Sequence, residues 1–400
     1  MKFEYIYVAT WWALIILYSL HWSELNQPLS FGLLLFFLIS GVVALVSGIL
    51  KKPAHFVGLE ISHKSITATL LICVGFAASF VAAGGLPMTM QYSGYDTDLG
   101  FGQQETLGIP MVTPLVIAFA IFYSGYLAYL ILSRSSHDRL WKQLIIEYSV
   151  IIFMFILNGS RGYITFSMLI FIFLYIYKNM STISQLKAKL IPIALLVIAL
   201  IVFLISVLGN IRSNCAWNDY SYIETIGVYT SLPFYVPKWV LWTYTYTTSS
   251  LSNLNYNILM NNSSSDIIAM FEFMLPESIS KYMTHVLSVN QPIYNVEYLN
   301  ASTGFVQFYN AFGLAGIYMG FFAQFAIYKL TRYILHRLGV LQSLGEVFLC
   351  FLTLVNIFYS SLSTVAVCYI PIFVILLAFY IRHKMSNTDT YMIDKYNNFN

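Results

Sequence analysis

Charge is what this chain has least of. Only 9% of its 400 residues are Asp, Glu, Lys or Arg, against 58% hydrophobic, and the mean hydropathy is +0.72. That balance excludes an ordinary soluble domain. No run of basic residues reaches five, so the formal net charge of +3 builds no nucleic-acid surface. Cysteine is scarce as well. Cys73, Cys350 and Cys368 lie in or beside apolar stretches, Cys215 stands alone, and no CxxC occurs, which leaves no disulfide framework. Walker, G-x-S-x-G and H-E-x-x-H motifs are missing, so nucleotide chemistry, a nucleophile elbow and a zinc-protease site have no sequence support. The first apolar stretch is too long for a signal-peptide core and has no clear small-residue cleavage site; it is expected to stay as an anchor.

What the chain has is long hydrophobic runs. About 20 apolar residues span a bilayer. Ten spans are expected: Phe3–Leu20, Leu29–Leu50, Ile66–Leu86, Met111–Leu132, Leu144–Leu157, Tyr163–Tyr177, Leu190–Leu208, Phe305–Tyr328, Val347–Ser361 and Val365–Ile381. With the N-terminus in the cytoplasm, sixteen of the twenty Lys and Arg residues fall inside. Arg161, Arg212, Lys238 and Lys281 are left on the outer side. Every inner loop obeys the positive-inside rule. The expected fold is therefore an all-α polytopic membrane protein of about ten transmembrane helices, up to twelve, with both termini cytoplasmic.

One connection is far longer than the rest. Residues 209–304 form a large outer loop between an N-terminal membrane part (1–208) and a C-terminal one (305–381), followed by a cytoplasmic tail (382–400). The loop is rich in Tyr, Trp and Phe and poor in charge, the opposite of a disordered composition. Pro233, Pro237, Pro276 and Pro292 divide it. Stretches such as Ile267–Met274 read as short amphipathic helices at the interface. The aromatics fit an interfacial belt or a platform on which sugars stack. A second outer loop, Pro87–Pro110, is glycine-rich and contains Asp96-Thr97-Asp98. Such a pair can hold a divalent metal, but here it reads as a solvated turn, and no metal is expected.

Arg161 is the most informative single residue. It lies in Asn158-Gly159-Ser160-Arg161-Gly162, between two apolar runs. A permanent charge at a bilayer centre costs roughly 2.5–3.5 kcal/mol, less near the edge, so an anionic partner is expected. Gly159 and Gly162 flank it, so the backbone can turn tightly and approach a ligand closely. Arg212 follows the seventh span on the same side. Two guanidiniums there could grip a diphosphate through forked hydrogen bonds; alone, each could equally snorkel to headgroups. Candidate general bases on the outer side are Asp219, Glu224, Asp266, Glu272, Glu277, His285 and Glu297, and His285 stands out because its ordinary pKa of about 6.5 lies near working pH. Glu147 and Glu346, near inner helix ends, read as capping or interfacial charges.

Three patterns then resemble a known family. The stretch from Asn300 to Gly316 opens the eighth span with Tyr309, Phe312, Gly313 and Gly316, in the order Tyr then Phe-Gly-x-x-Gly. Tyr246 to Leu254 resembles a pattern within the long loop. The third is the Asn-Gly-Ser-Arg-Gly turn with an Arg after span seven. Together they resemble the O-antigen polymerases of the Wzy type, over nearly the whole chain and with short motifs. The resemblance implies a GT-C-like bacterial inner-membrane glycosyltransferase of lipopolysaccharide biosynthesis. Such an enzyme moves the growing glycan from undecaprenyl diphosphate to the next lipid-linked repeat unit, on the periplasmic side. It implies undecaprenyl-diphosphate-linked oligosaccharides and membrane lipid as partners, leaves a chain-length regulator open, and calls for no cofactor or metal. Arg161, Arg212 and His285 become the expected catalytic residues, with Ser160, Gly162, Tyr246, Tyr309, Phe312 and Gly313 binding substrate. The rivals are an O-antigen ligase, which shares the arginine logic, and a flippase or transporter of lipid-linked oligosaccharide. The latter should carry ionisable residues inside its spans, where this chain is expected to have almost none.

Overall fold

The computed structural model describes residues 2–50, 56, 58, 66–87, 108–135, 137–179, 199, 202–203, 205–207, 209–210, 213, 215–229, 232, 236–296 and 299–387, with only the backbone of Arg161 and of residues 386–387. Fifteen helices occur among the described residues. They are α1 (Phe3–Tyr18), α2 (Phe31–Ile49), α3 (Thr67–Ala82), α4 (Val112–Ser133), α5 (Arg139–Leu157), α6 (Arg161–Lys178), α7 (Ser221–Gly227), α8 (Val240–Leu259), α9 (Ile267–Glu272), α10 (Glu277–Ser280), α11 (Thr284–Ser288), α12 (Val306–Leu338), α13 (Gln342–Val355), α14 (Val365–Cys368) and α15 (Ile370–Asn387). One isolated antiparallel bridge, Ser23 with Tyr229, is the β pairing among them.

Five stretches are long and apolar enough to cross a membrane: α2, α4, α5, α12 and Val365–Met385. Four shorter apolar helices are Phe3–Tyr18, Thr67–Ala82, Gly162–Lys178 and Gln342–Val355. An all-α membrane protein follows. The span expected at Leu190–Leu208 lies largely outside the described residues. Others have different limits from those read in the sequence: the helix expected at Leu144–Leu157 starts at Arg139, and the one expected at Phe305–Tyr328 runs to Leu338. The expected Val347–Ser361 starts earlier and stops at Val355, because Asn356 turns the chain and its Oδ1 accepts from the Ser361 amide at 3.2 Å. The expected Val365–Ile381 is interrupted at Tyr369, and Pro371 lies in the first turn of α15, where its missing N–H breaks no helix bond.

The helices pack into two cores. One gathers α3, α4, α5, α6, α13 and α15, with α4 buried along nearly its whole length. The other gathers α1, α2, α8, α9 and the first half of α12, around Trp11, Phe36, Phe305 and Phe321. Their opposite ends differ in chemistry. At one end, Arg332 of α12 reaches Glu4 of α1 with both terminal nitrogens (2.6 and 2.9 Å) and Glu346 of α13 through Nε (2.7 Å), and Lys329 also pairs with Glu4. Glu4 is fully buried. Glu346 also accepts the Phe3 amide at 3.0 Å. It is thus a buried ion-pair partner and not the simple cap or interfacial charge read from the sequence.

At the other end, α8 is a polar spine. Asn253 donates to the carbonyls of Leu299 (2.6 Å) and Ala301 (2.7 Å), Asn257 donates to Ile293 (2.7 Å), and Asn255 accepts from the Ser30 amide (2.9 Å). The segment read as a long loop with short helices thus also contains a buried helix of 20 residues that ties residues 28–30 to residues 293–301.

Candidate functional site

The site grows from a break in α12. Phe312 (φ −142°, ψ 27°) and Gly313 (φ 61°, ψ −152°) leave helical geometry inside this helix. The Gly313 conformation belongs almost only to glycine. Three residues on, a Cβ at Gly316 would collide with the Phe308 carbonyl oxygen, so the chain can fold back this tightly only without one. Phe312, Gly313 and Gly316 therefore have a mechanical reason for being where they are.

A break frees backbone groups that must find other partners. The Asn310 carbonyl accepts from the Ser264 amide and the Ala311 carbonyl accepts from the Asp266 amide, both at 2.7 Å. The Asn310 side chain donates to the Asn290 carbonyl (3.0 Å), and the Asn290 amide donates to Ser264 Oγ (2.9 Å). Tyr309 is buried beneath, its hydroxyl directed at the Ile258 carbonyl at 3.4 Å. The break thus fixes residues 264–266 and 290 against α12.

Asp266 is fixed further. It is the N-cap of α9 and accepts from the amides of Ile268 (2.8 Å) and Ala269 (3.0 Å). Its other oxygen, Oδ2, meets His285 Nδ1 at 2.9 Å. Beside a carboxylate, Nδ1 carries the proton and donates it, so in the neutral ring Nε2 holds the lone pair. The Val286 amide donates to Glu272 Oε2 at 3.0 Å, holding the start of α11 to the end of α9. The His285 side chain is 44% exposed and that of Asp266 23%. The hydrogen bond to Asp266 and the nearby charges of Asp266 and Glu272 raise the His285 pKa above its ordinary value, against a smaller opposing effect of desolvation. The Ala269 amide and the His285 bond hold the Asp266 carboxyl below its ordinary value.

The other expected site residues are placed as follows. Ser160 is buried at the N-terminus of α6 without a side-chain cap bond. The turn before it is a Schellman closure: the Ser160 amide donates to Phe155 (3.2 Å) and the Gly159 amide to Ile156 (2.8 Å), with Gly159 at φ 71°. Gly162 is half-buried in the first turn of α6. The Arg161 side chain, Arg212, Asp96, Asp98 and Glu297 lie outside the described residues. Tyr246 packs beside Trp242 (6.0 Å between ring centres), which stacks on Tyr222 at 6.1 Å. Trp242 and Tyr244 are buried, so these rings are the core of a small α7–α8 cluster as well as an aromatic surface. The structure brings Tyr309, Phe312, Gly313 and His285 together through the break. Among the described residues no hydrogen bond or ring contact joins them to Tyr246 or to the Ser160 turn.

Two features were missed in the sequence. Asp266 and His285 are both visible as titratable residues, but nothing local says that positions 19 apart will pair. Glu147 is not near a helix end. It lies midway along α5, fully buried, accepting from Thr69 Oγ1 (2.8 Å), Tyr123 OH (3.1 Å) and Gln143 Nε2 (2.9 Å). The helix starts five residues earlier than expected because Asp138 caps it, accepting from Leu140 N at 3.0 Å. The spans are therefore less empty of ionisable groups than they looked.

Below α8, Ala9, Ala13 and Leu17 of α1, with Thr247, Leu354 and Ile357, line an apolar groove of about 310 Å³. No grouping of three or more His, Cys, Asp or Glu suited to a metal ion occurs among the described residues. Comparison of the chain with protein-family models, with curated proteins and with solved structures finds no match.

Proposed function

We propose that this chain is an inner-membrane polymerase of lipid-linked O-antigen repeat units, with both termini in the cytoplasm and residues 209–304 in the periplasm. The observation that carries the reading is the His285–Asp266 pair held on the broken start of α12, within the stretch whose Tyr309, Phe312, Gly313 and Gly316 resemble that family. In the proposed reaction the acceptor sugar hydroxyl gives its proton to His285 Nε2. Its oxygen forms a bond to the donor's anomeric carbon as the bond from that carbon to the diphosphate oxygen breaks. Asp266 stabilises the imidazolium that results and keeps Nε2 turned outward. Arg161 and Arg212 are assigned to the departing diphosphate, whose charge grows in the transition state. The apolar groove below α8 is a suitable seat for part of an isoprenoid chain.

The test is the lipopolysaccharide profile of a deletion strain complemented with variants. His285→Ala, Arg161→Ala and Arg212→Ala should each abolish long chains and leave a single repeat unit on the core. Loss of a general base typically costs 10²–10⁴-fold in rate. Full-length ladders from all three variants would refute the assignment. A deletion strain lacking even single capped units would point to a ligase or a flippase. The buried Glu147 is the feature a flippase would use, and Glu147→Gln is then the variant that should lose export of capped units.

A further inference from the structure

The short helices that carry His285 leave a series of large apolar side chains in the open. Ile268 and Phe271 project from α9 on the side opposite buried Ala269 and Met270, and Leu275, Ile279, Tyr282 and Leu287 follow, each exposed. Two carboxylates of this segment turn elsewhere, Asp266 to His285 and Glu272 to the Val286 amide, and the third, exposed Glu277, feels the charge of Lys281. Its one cation, Lys281, stands over the Tyr282 ring at 5.2 Å. Among the described residues none covers this face.

Its depth is set by α12. From Leu314, just past the break, to Arg332 in the ion-pair cluster, eighteen steps of helix rise about 27 Å. The hydrocarbon core of a bilayer is about 30 Å thick. Between these limits α12 exposes Leu314, Phe322, Ile327 and Leu330 among the described residues, an apolar surface suited to lipid in a membrane-crossing helix. With Lys329 and Arg332 at one boundary of the hydrocarbon, the break falls at the other. The backbone bonds of Ser264 and Asp266 to Asn310 and Ala311 of α12 put the start of α9 at that same level.

We propose that the exposed face of α9–α11 is a membrane-docking surface, seated in the headgroup and upper acyl region of the outer leaflet, which holds His285 at the depth of lipid phosphates. The occupant is the bilayer itself. Tyr282 and Lys281 are the side chains expected at such a boundary. The inference rests on the membrane-spanning fold and does not depend on the reaction proposed above.

Site-directed spin labelling tests it. The full chain in lipid nanodiscs, its four cysteines replaced, carries a nitroxide at Phe271→Cys or Leu287→Cys, with Thr225→Cys on α7 as the aqueous control. Labels at 271 and 287 should collide more often with oxygen than with a water-soluble nickel chelate, and Thr225→Cys should show the reverse. Unmodified protein in nanodiscs bearing a photoreactive acyl chain should yield lipid adducts within residues 267–287. Chelate-accessible labels at both positions without lipid adducts would overturn the proposal. So would dipolar broadening between labels on two chains, which would show that a second copy covers the face.

Discussion

His285 matters because of a partner it does not have in sequence. The Asp266 carboxylate fixes which ring nitrogen carries the proton and raises the pKa of the ring. A base must be neutral to accept a proton, so activity should rise as pH passes upward through the raised His285 value. Asp266→Asn retains the cap of α9, since Asn caps about as well as Asp, but removes the charge. The acidic limb of the rate profile of purified enzyme should move to lower pH, toward the ordinary value of His, and the plateau should fall. An unmoved limb would mean that His285 is not the titrating base. The sign for stability is opposite in the two partners. Asp266, with its pKa lowered, stabilises the fold above the ordinary carboxylate range and loses this as pH falls. His285, with its pKa raised, contributes below its ordinary value and loses this as pH rises through the raised one. Histidine near working pH was legible in the sequence; its orientation was not.

The broken α12 shows how one element builds a site. An unbroken helix would satisfy the carbonyls of Asn310 and Ala311 internally and leave Ser264 and Asp266 unattached. Gly313→Ala should cost about 1–3 kcal/mol for its backbone region, and should also lower polymerisation by loosening the His285–Asp266 pair. Gly339→Ala is the matching control. Gly339 is also at positive φ (72°), but it ends α12 with open space around it. Ala there should cost about 1–2 kcal/mol without loss of activity per folded molecule. Thermal melts of both variants in detergent, read beside ladder formation, separate the two. The Phe-Gly-x-x-Gly spacing was plain in the sequence, but as a helix start. That it breaks a helix follows from Phe308 returning against Gly316, a contact no linear pattern contains. The Asn residues of α8 show nothing of this in sequence: in a segment that reads as a loop, three amides look like solvated side chains, whereas they are the clamps that hold 28–30 and 293–301.

The complete bundle is held at one end by ions and at the other by amides. Glu4, Glu346, Lys329 and Arg332 join α1, α12 and α13 some 27 Å along α12 from the break. Removing one partner of a buried ion pair costs about 3–5 kcal/mol, because the remaining charge is left buried. Arg332→Leu should therefore lower the melting temperature strongly. Arg332→Leu combined with Glu346→Leu should recover part of the loss. Activity per folded molecule should persist in both, since the cluster is remote from His285. A double variant no better than the single one would show that Glu4 alone requires the guanidinium.

Long hydrophobic runs determined by themselves that this chain is a helical membrane protein, because bilayer thickness acts on linear sequence. Most helices fall where those runs are. Only the tertiary structure decided which polar groups meet: Asp266 with His285, Asn253 with Leu299, Arg332 with Glu4. Such partners are selected by desolvation, which makes a buried polar atom costly unless the packed helices bring it a mate.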